Sequence, residues 1–387
     1  MTGSSFSERA RTRLTLERAW LYGTILALVG LVPLVTIPHF FAITAYHEDW
    51  GNFWSGGATV GTPALLDPRM HEAWQIAHGM RPQVFSYPPA VAWLYAPFAR
   101  LAPLPSFFLE QALMLGVSVV AALLAARIYR FQVSFAIAVT LAWAPLLISI
   151  VVGQSTAIAL TLTLLAILGL KEKRWLLAGI AVGALLYKPT DSVALVTLLI
   201  LRGRWRSVAV VGACAALWYI ASALATSGNW SWPAQYLELI HGYYHADFAA
   251  NAIKSVSLPT LALYMGLPQP SAILAGAALF FACAILLYRR PVFEAASMTP
   301  LVTLAVSPHA WPYDVGLLLP SICYLLHVGH EPWRTRIVAI TYVIAVLPLM
   351  HFDPLAIIVL GGTALWFLQP FVPTRETVAP TETQSGL

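Results

Sequence analysis

A handful of polar positions scattered along an apolar chain of 387 residues carry side chains able to run a group transfer. Asp49, with Glu48 beside it, can take the proton from a hydroxyl as that hydroxyl attacks. One such base is enough for an inverting sugar transfer when the leaving group is a phosphate. Lys188, in Tyr187-Lys188-Pro189, can bind an anion or can snorkel from the end of an apolar segment. Gln154, next to Gly153, can hydrogen-bond a sugar or cap a tight turn. His309 with Trp311, Tyr313 and Asp314 makes a donor-rich cluster in a proline-framed break, which a structural hinge explains as well. Tyr87 can stack on a sugar or anchor at a membrane interface, and the run from Trp230 to His245 offers a lid, an acceptor groove or plain interfacial aromatics.

The elements that must position these groups follow from composition. The chain is 59% hydrophobic and 10% charged, with a mean hydropathy of +0.73. Runs of about twenty apolar residues recur, each long enough to cross a hydrocarbon core as a helix. The fold class is therefore an all-α polytopic membrane protein, and soluble classes are excluded. The net charge of +5 does not indicate nucleic acid, because the basic residues lie in short clusters between apolar runs, where they set orientation. Cys214, Cys283 and Cys323 all fall inside apolar runs and read as buried thiols.

The first run, Trp20 to about Phe41, reads as an uncleaved span behind a cytoplasmic tail of residues 1–19. A multi-spanning domain over 20–372 and a cytoplasmic tail of residues 373–387 complete the organisation. Counting runs gives about twelve spans, among them Gln132–Val152 as a single crossing. Arg127/Arg130, Lys171 to Arg174, Arg202 to Arg206, Arg289-Arg290 and Arg334/Arg336 then fall on the inner side, and the polar motifs on the other. Two large outer loops, Tyr46 to Ser86 and Ser227 to about Pro270, carry short interfacial helices. One of these starts after Asp67, its expected cap. Neither a Walker motif, nor GxGxxG, nor HExxH is present, and the residues show no metal-ligand spacing, so neither a cofactor nor an obligatory metal is expected.

In series, Asp49-Trp50 with Phe53-Trp54, Leu66-Asp67-Pro68, Phe85-Ser86-Tyr87-Pro88-Pro89, Gly153-Gln154, Tyr187-Lys188-Pro189, and Pro308-His309 with Tyr313-Asp314 resemble the bacterial membrane glycosyltransferases of family 87. These are type C enzymes that include polyprenol-phosphate-mannose-dependent mannosyltransferases. The resemblance implies a multi-spanning plasma-membrane enzyme whose site faces the periplasm. It also implies a polyprenyl-phosphate sugar as donor and a lipid or glycan as acceptor. On this reading Asp49 is the catalytic base, with Glu48, Tyr87, Gln154, Lys188, His309, Tyr313 and Asp314 binding substrate. Glu48, adjacent to Asp49, competes for the role of base. The alternative is a secondary transporter or lipid flippase, whose outward polar residues would line a permeation path.

Overall fold

The computed structural model describes residue 25 and residues 49–251, 256–328, 332–347 and 355–368. Glu48, the first expected span apart from Ile25, and both tails lie outside the described residues. Among these residues the protein is all-helical, with no β-strand. The helices are α1 (Asp49–Thr59), α2 (Pro68–Ala77), α3 (Val91–Tyr95), α4 (Pro103–Tyr129), α5 (Val133–Leu141), α6 (Ala144–Val151), α7 (Thr156–Lys171), α8 (Trp175–Ala184) and α9 (Pro189–Leu201). They continue with α10 (Trp205–Ala225), α11 (Trp232–Asn251), α12 (Leu258–Tyr264), α13 (Gln269–Arg289), α14 (Val292–Val306), α15 (Leu319–His327), α16 (Pro332–Val346) and α17 (Leu355–Leu368).

Three described helices, α4, α10 and α13, are long and apolar enough to cross a membrane. Their outer faces expose Leu109, Leu217, Leu274 and Phe281, side chains that need lipid around them. Other expected spans appear as shorter apolar helices, including α7, α9 and α14. At one end of the helices, Arg127 and Arg174 both pair with Glu172, at 2.7 and 3.0 Å. At another, Arg202 donates to the Leu287 and Arg290 carbonyls. Basic clusters that the sequence assigned to one side thus meet in space.

Two elements depart from the sequence reading. Gln132–Val152 is a pair of helices, α5 and α6, bent by 61° at Ala142-Trp143. Pro145 lies in the first turn of α6, where its missing N–H costs nothing but where it cannot continue α5. Trp143 plugs the corner and donates its indole N–H to the Val315 carbonyl at 3.1 Å. Counted as one broken span, this pair raises the number of candidate crossings to four.

The second departure is the start of the first outer loop, where Asp49 opens helix α1. Gly51, Gly56 and Gly57 disfavour a helix locally, and packing overrides that propensity. A Cβ on Gly56 would sit 2.3 Å from the Phe85 ring, and one on Gly57 would sit 2.5 Å from the Tyr95 backbone. The glycines let α1 lie directly on the Phe85 and α3 segments. The Asp67 cap is as expected: its side chain accepts from the Met70 N–H at 3.1 Å and starts α2.

Candidate active site

Helix α1 is held at its inner face by a buried polar network. His71 of α2 meets Ser55 through Nε2 at 3.0 Å and Thr59 through Nδ1 at 3.4 Å. One turn on, Gln75 donates to Ser55 at 2.8 Å and accepts from the Gln83 N–H at 2.6 Å. Asn52 donates to the Val84 carbonyl at 3.0 Å. His71 is fully buried, and burial alone pushes its pKa down to about 4. It holds the clamp as a neutral imidazole.

That depression sets a pH dependence. The unfolded histidine, with a pKa near 6.5, takes up a proton before the folded one does. The clamp's contribution is therefore complete above about pH 6.5 and is lost as pH falls toward 4, to the extent of about 3 kcal/mol. Thermal unfolding in detergent should show a lower midpoint at pH 5 than at pH 7.5, with a smaller drop in His71→Gln. Equal drops in the two proteins would remove His71 as the cause.

The bent helix pair delivers Gln154. Gly153 turns with φ of +77°, and a Cβ there would lie 2.7 Å from Cβ of Trp50. Only glycine serves at this point, for both backbone and steric reasons. Gln154 then accepts from the Tyr87 hydroxyl at 2.7 Å and donates to the Tyr313 hydroxyl at 3.4 Å. Its amide ties two cavity tyrosines together. Burial raises the pKa of both phenols, so they remain protonated donors. Ser155 donates to the Tyr187 hydroxyl at 3.2 Å, and Tyr187 in turn donates to the Ser155 carbonyl at 3.0 Å, fixing the segment that presents Lys188.

Lys188 caps α9 with Pro189 behind it. The sequence left it either to bind an anion or to snorkel; in the structure it has two carboxylate partners. It contacts Asp314 directly and lies 3.9 Å from Asp191, three residues along its own helix. Burial works against its charge, but Asp191 and Asp314 outweigh this and hold its pKa well above that of an ordinary lysine. Asp314 uses its second oxygen to accept the Trp311 N–H at 2.9 Å, which starts the 3-10 turn Pro312–Leu318. His309 stands just before that turn.

These segments enclose one cavity of about 330 Å³. Asp49, Tyr87, Gln154, Lys188, His309 and Tyr313 all line it, and Asp314 reaches it through Lys188. Six positions up to 264 residues apart in sequence number are thereby brought together. Sequence reasoning gave no separate role to Asn52, Ser86 or Asp191, while Tyr236 and Tyr243 fall in the Trp230 to His245 run it offered as a lid or acceptor groove. Asn52 is one turn from Asp49 and would follow from reading α1 as a helix, and Asp191 is one turn from Lys188. Tyr236 and Tyr243 sit one above the other on α11, which roofs the cavity and is tied to it by the Tyr236 hydroxyl donating to the Ser86 carbonyl at 2.9 Å. Among the described residues no group of three His, Cys, Asp or Glu side chains is arranged to hold a metal ion.

The cavity combines a carboxylate, an anchored lysine, a histidine and hydrogen-bonded tyrosines, a set suited to a sugar and an anion together. Comparison with known proteins gives a family model, glycosyltransferase family 87, matching residues 85–308. Neither the curated proteins nor the solved structures yield a match to the chain. The matched stretch contains Tyr87, Gln154 and Lys188 and ends one residue before His309, while Asp49 precedes it. It covers more than half of the sequence, and with the apolar helices around the cavity it makes this chain a membrane glycosyltransferase belonging to glycosyltransferase family 87.

Proposed function

We propose that the enzyme transfers a hexose, mannose-like, from a polyprenyl-phosphate donor to a lipid or glycan acceptor, with inversion, on the extracytoplasmic side of the plasma membrane. Asp49 is the base for the acceptor hydroxyl, and Lys188 with His309 stabilises the leaving phosphate. About twelve spans with both tails in the cytoplasm would set the cavity on that side.

One observation carries the lipid-linked donor. The polar cavity adjoins a second, almost wholly apolar cleft of about 270 Å³ lined by Val193, Ile273, Phe280 and Val306, and Thr190 belongs to both. The cleft lies against α13, one of the candidate spans. A substrate with a polar, phosphorylated head and an apolar chain matches that pairing. It also supplies its own activated leaving group, so the protein needs no nucleotide site.

The test is transfer of labelled mannose from a synthetic polyprenyl-phosphate mannose to the lipid extract of the native membrane by purified enzyme. Transfer is expected and should persist in EDTA, because neither a resident metal nor a cofactor is required. Failure with this donor, alongside transfer from a nucleotide sugar, would overturn the reading.

A further inference from the structure

His309 is fixed more tightly than a cavity-lining residue needs to be. Its Nε2 accepts the indole N–H of Trp311 at 2.6 Å, with the two rings 88° apart and their centroids separated by 5.0 Å. The Ser307 hydroxyl holds its backbone on both sides, donating to the His309 carbonyl at 2.8 Å and accepting from the His309 N–H at 3.2 Å. Trp311 is itself pinned, through its N–H to Asp314.

An indole nitrogen can only donate, so the Nε2 it meets must carry a lone pair. A neutral imidazole has one N–H, and here that proton is left on Nδ1. Charging the ring would put a proton on Nε2 and set two donors against each other across 2.6 Å. Among the described residues, the ionisable groups around the same cavity are Asp49 from α1, Tyr87 before α3, Lys188 and Asp191 at the head of α9, Tyr236 and Tyr243 from α11, and Tyr313 and Asp314 on the histidine's own segment.

We propose that Trp311 is a positioning residue: it fixes His309 as the uncharged Nδ1–H tautomer, so that His309 serves the transfer as a hydrogen-bond donor and not as an imidazolium acid. The proposal rests on the cavity being the transfer site. It separates two chemistries a histidine beside a leaving phosphate can perform. The departing phosphate keeps its charge and is held by a hydrogen bond, and it receives no proton from the ring.

Trp311→Phe keeps a ring in place and removes the N–H. Transfer from polyprenyl-phosphate mannose to native lipid extract is measured from pH 8 to pH 5.5 for both proteins. Without the indole the neutral ring can shift its proton to Nε2 and lose the Nδ1–H donor, which protonation of the ring at low pH restores, so the variant-to-wild-type activity ratio should be lowest at pH 8 and rise about tenfold by pH 5.5. A purely structural loss would lower activity by the same factor at every pH, and a flat ratio overturns the proposal. His309→Asn, which offers an amide N–H near the Nδ1 position, should retain more activity than His309→Gln, which offers one near Nε2. The reverse order also overturns it.

A second readout needs no turnover. In histidine-15N-labelled wild type, the signal assigned to His309 by its loss in His309→Asn should show a protonated Nδ1 and a bare Nε2 at pH 7. A protonated Nε2 would overturn the tautomer assignment. Absence of transfer by the wild type would instead sink the transferase reading, while this spectrum still decides the tautomer.

Discussion

Asp49→Asn should reduce sugar transfer by about 10²- to 10⁴-fold, the usual worth of a positioned base, while leaving the protein folded and able to bind donor. Asparagine preserves the size of the side chain and its place in the first turn of α1, but it cannot accept the proton of an attacking hydroxyl. Donor binding, followed by competition with unlabelled polyprenyl phosphate, should stay close to wild type because the groups proposed to hold the phosphate, Lys188 and His309, are other residues of the cavity. Wild-type turnover by Asp49→Asn would remove Asp49 as the base. Glu48, its sequence neighbour, would then become the candidate to replace in the same way.

The second large effect is expected at Lys188, where catalysis and stability are entangled. Its side chain is 16% exposed and its partners Asp314 and Asp191 are 3% and 6% exposed. Lys188→Met leaves two buried carboxylates facing each other without a cation, at a cost of roughly 3 to 5 kcal/mol. The apparent melting temperature in detergent should drop accordingly. Adding Asp314→Asn should restore much of the lost stability, since the amide oxygen still accepts from the Trp311 N–H and one surplus charge is gone. If Lys188 also holds the donor phosphate, the stabilised double variant should remain inactive. Recovery of transfer together with stability would confine Lys188 to a structural role.

The helical class and the set of cavity residues were legible because both are written in strong local contrasts. Lys188, Gln154 and His309 are isolated polar groups beside Gly or Pro at the ends of apolar runs, and such breaks are where a membrane protein exposes backbone to water. What the local pattern could not convey was partnership. The attachment of Lys188 to Asp314, 126 residues away, depends on how α9 and the 3-10 turn after α14 meet. Helix α1 was illegible for a related reason. Its glycines weaken the helix in isolation and become an advantage only when Phe85 and Tyr95 are there to fill the space. The bend after α5 carried a visible signal in Pro145, but an apolar run of that length reads more simply as one crossing. The roofing tyrosines of α11 belonged to a run that offered a lid or groove but were not told apart from its other aromatics, since Tyr236 and Tyr243 share a face only once that segment is helical.

The glycine pair at Gly56 and Gly57 has a bearing on which bond the enzyme forms. The close contact of α1 with the Phe85 and Tyr95 segments resists sliding or rolling of the helix, so the proposed base, Asp49, would be held in place and the acceptor brought to it. An acceptor sugar presents several hydroxyls within a few ångströms of one another, and a wandering base would sample them all. A fixed one selects whichever hydroxyl the cavity walls set before it. Regiochemistry would then depend on a glycine contact about two helical turns from the carboxylate, at residues outside the cavity lining.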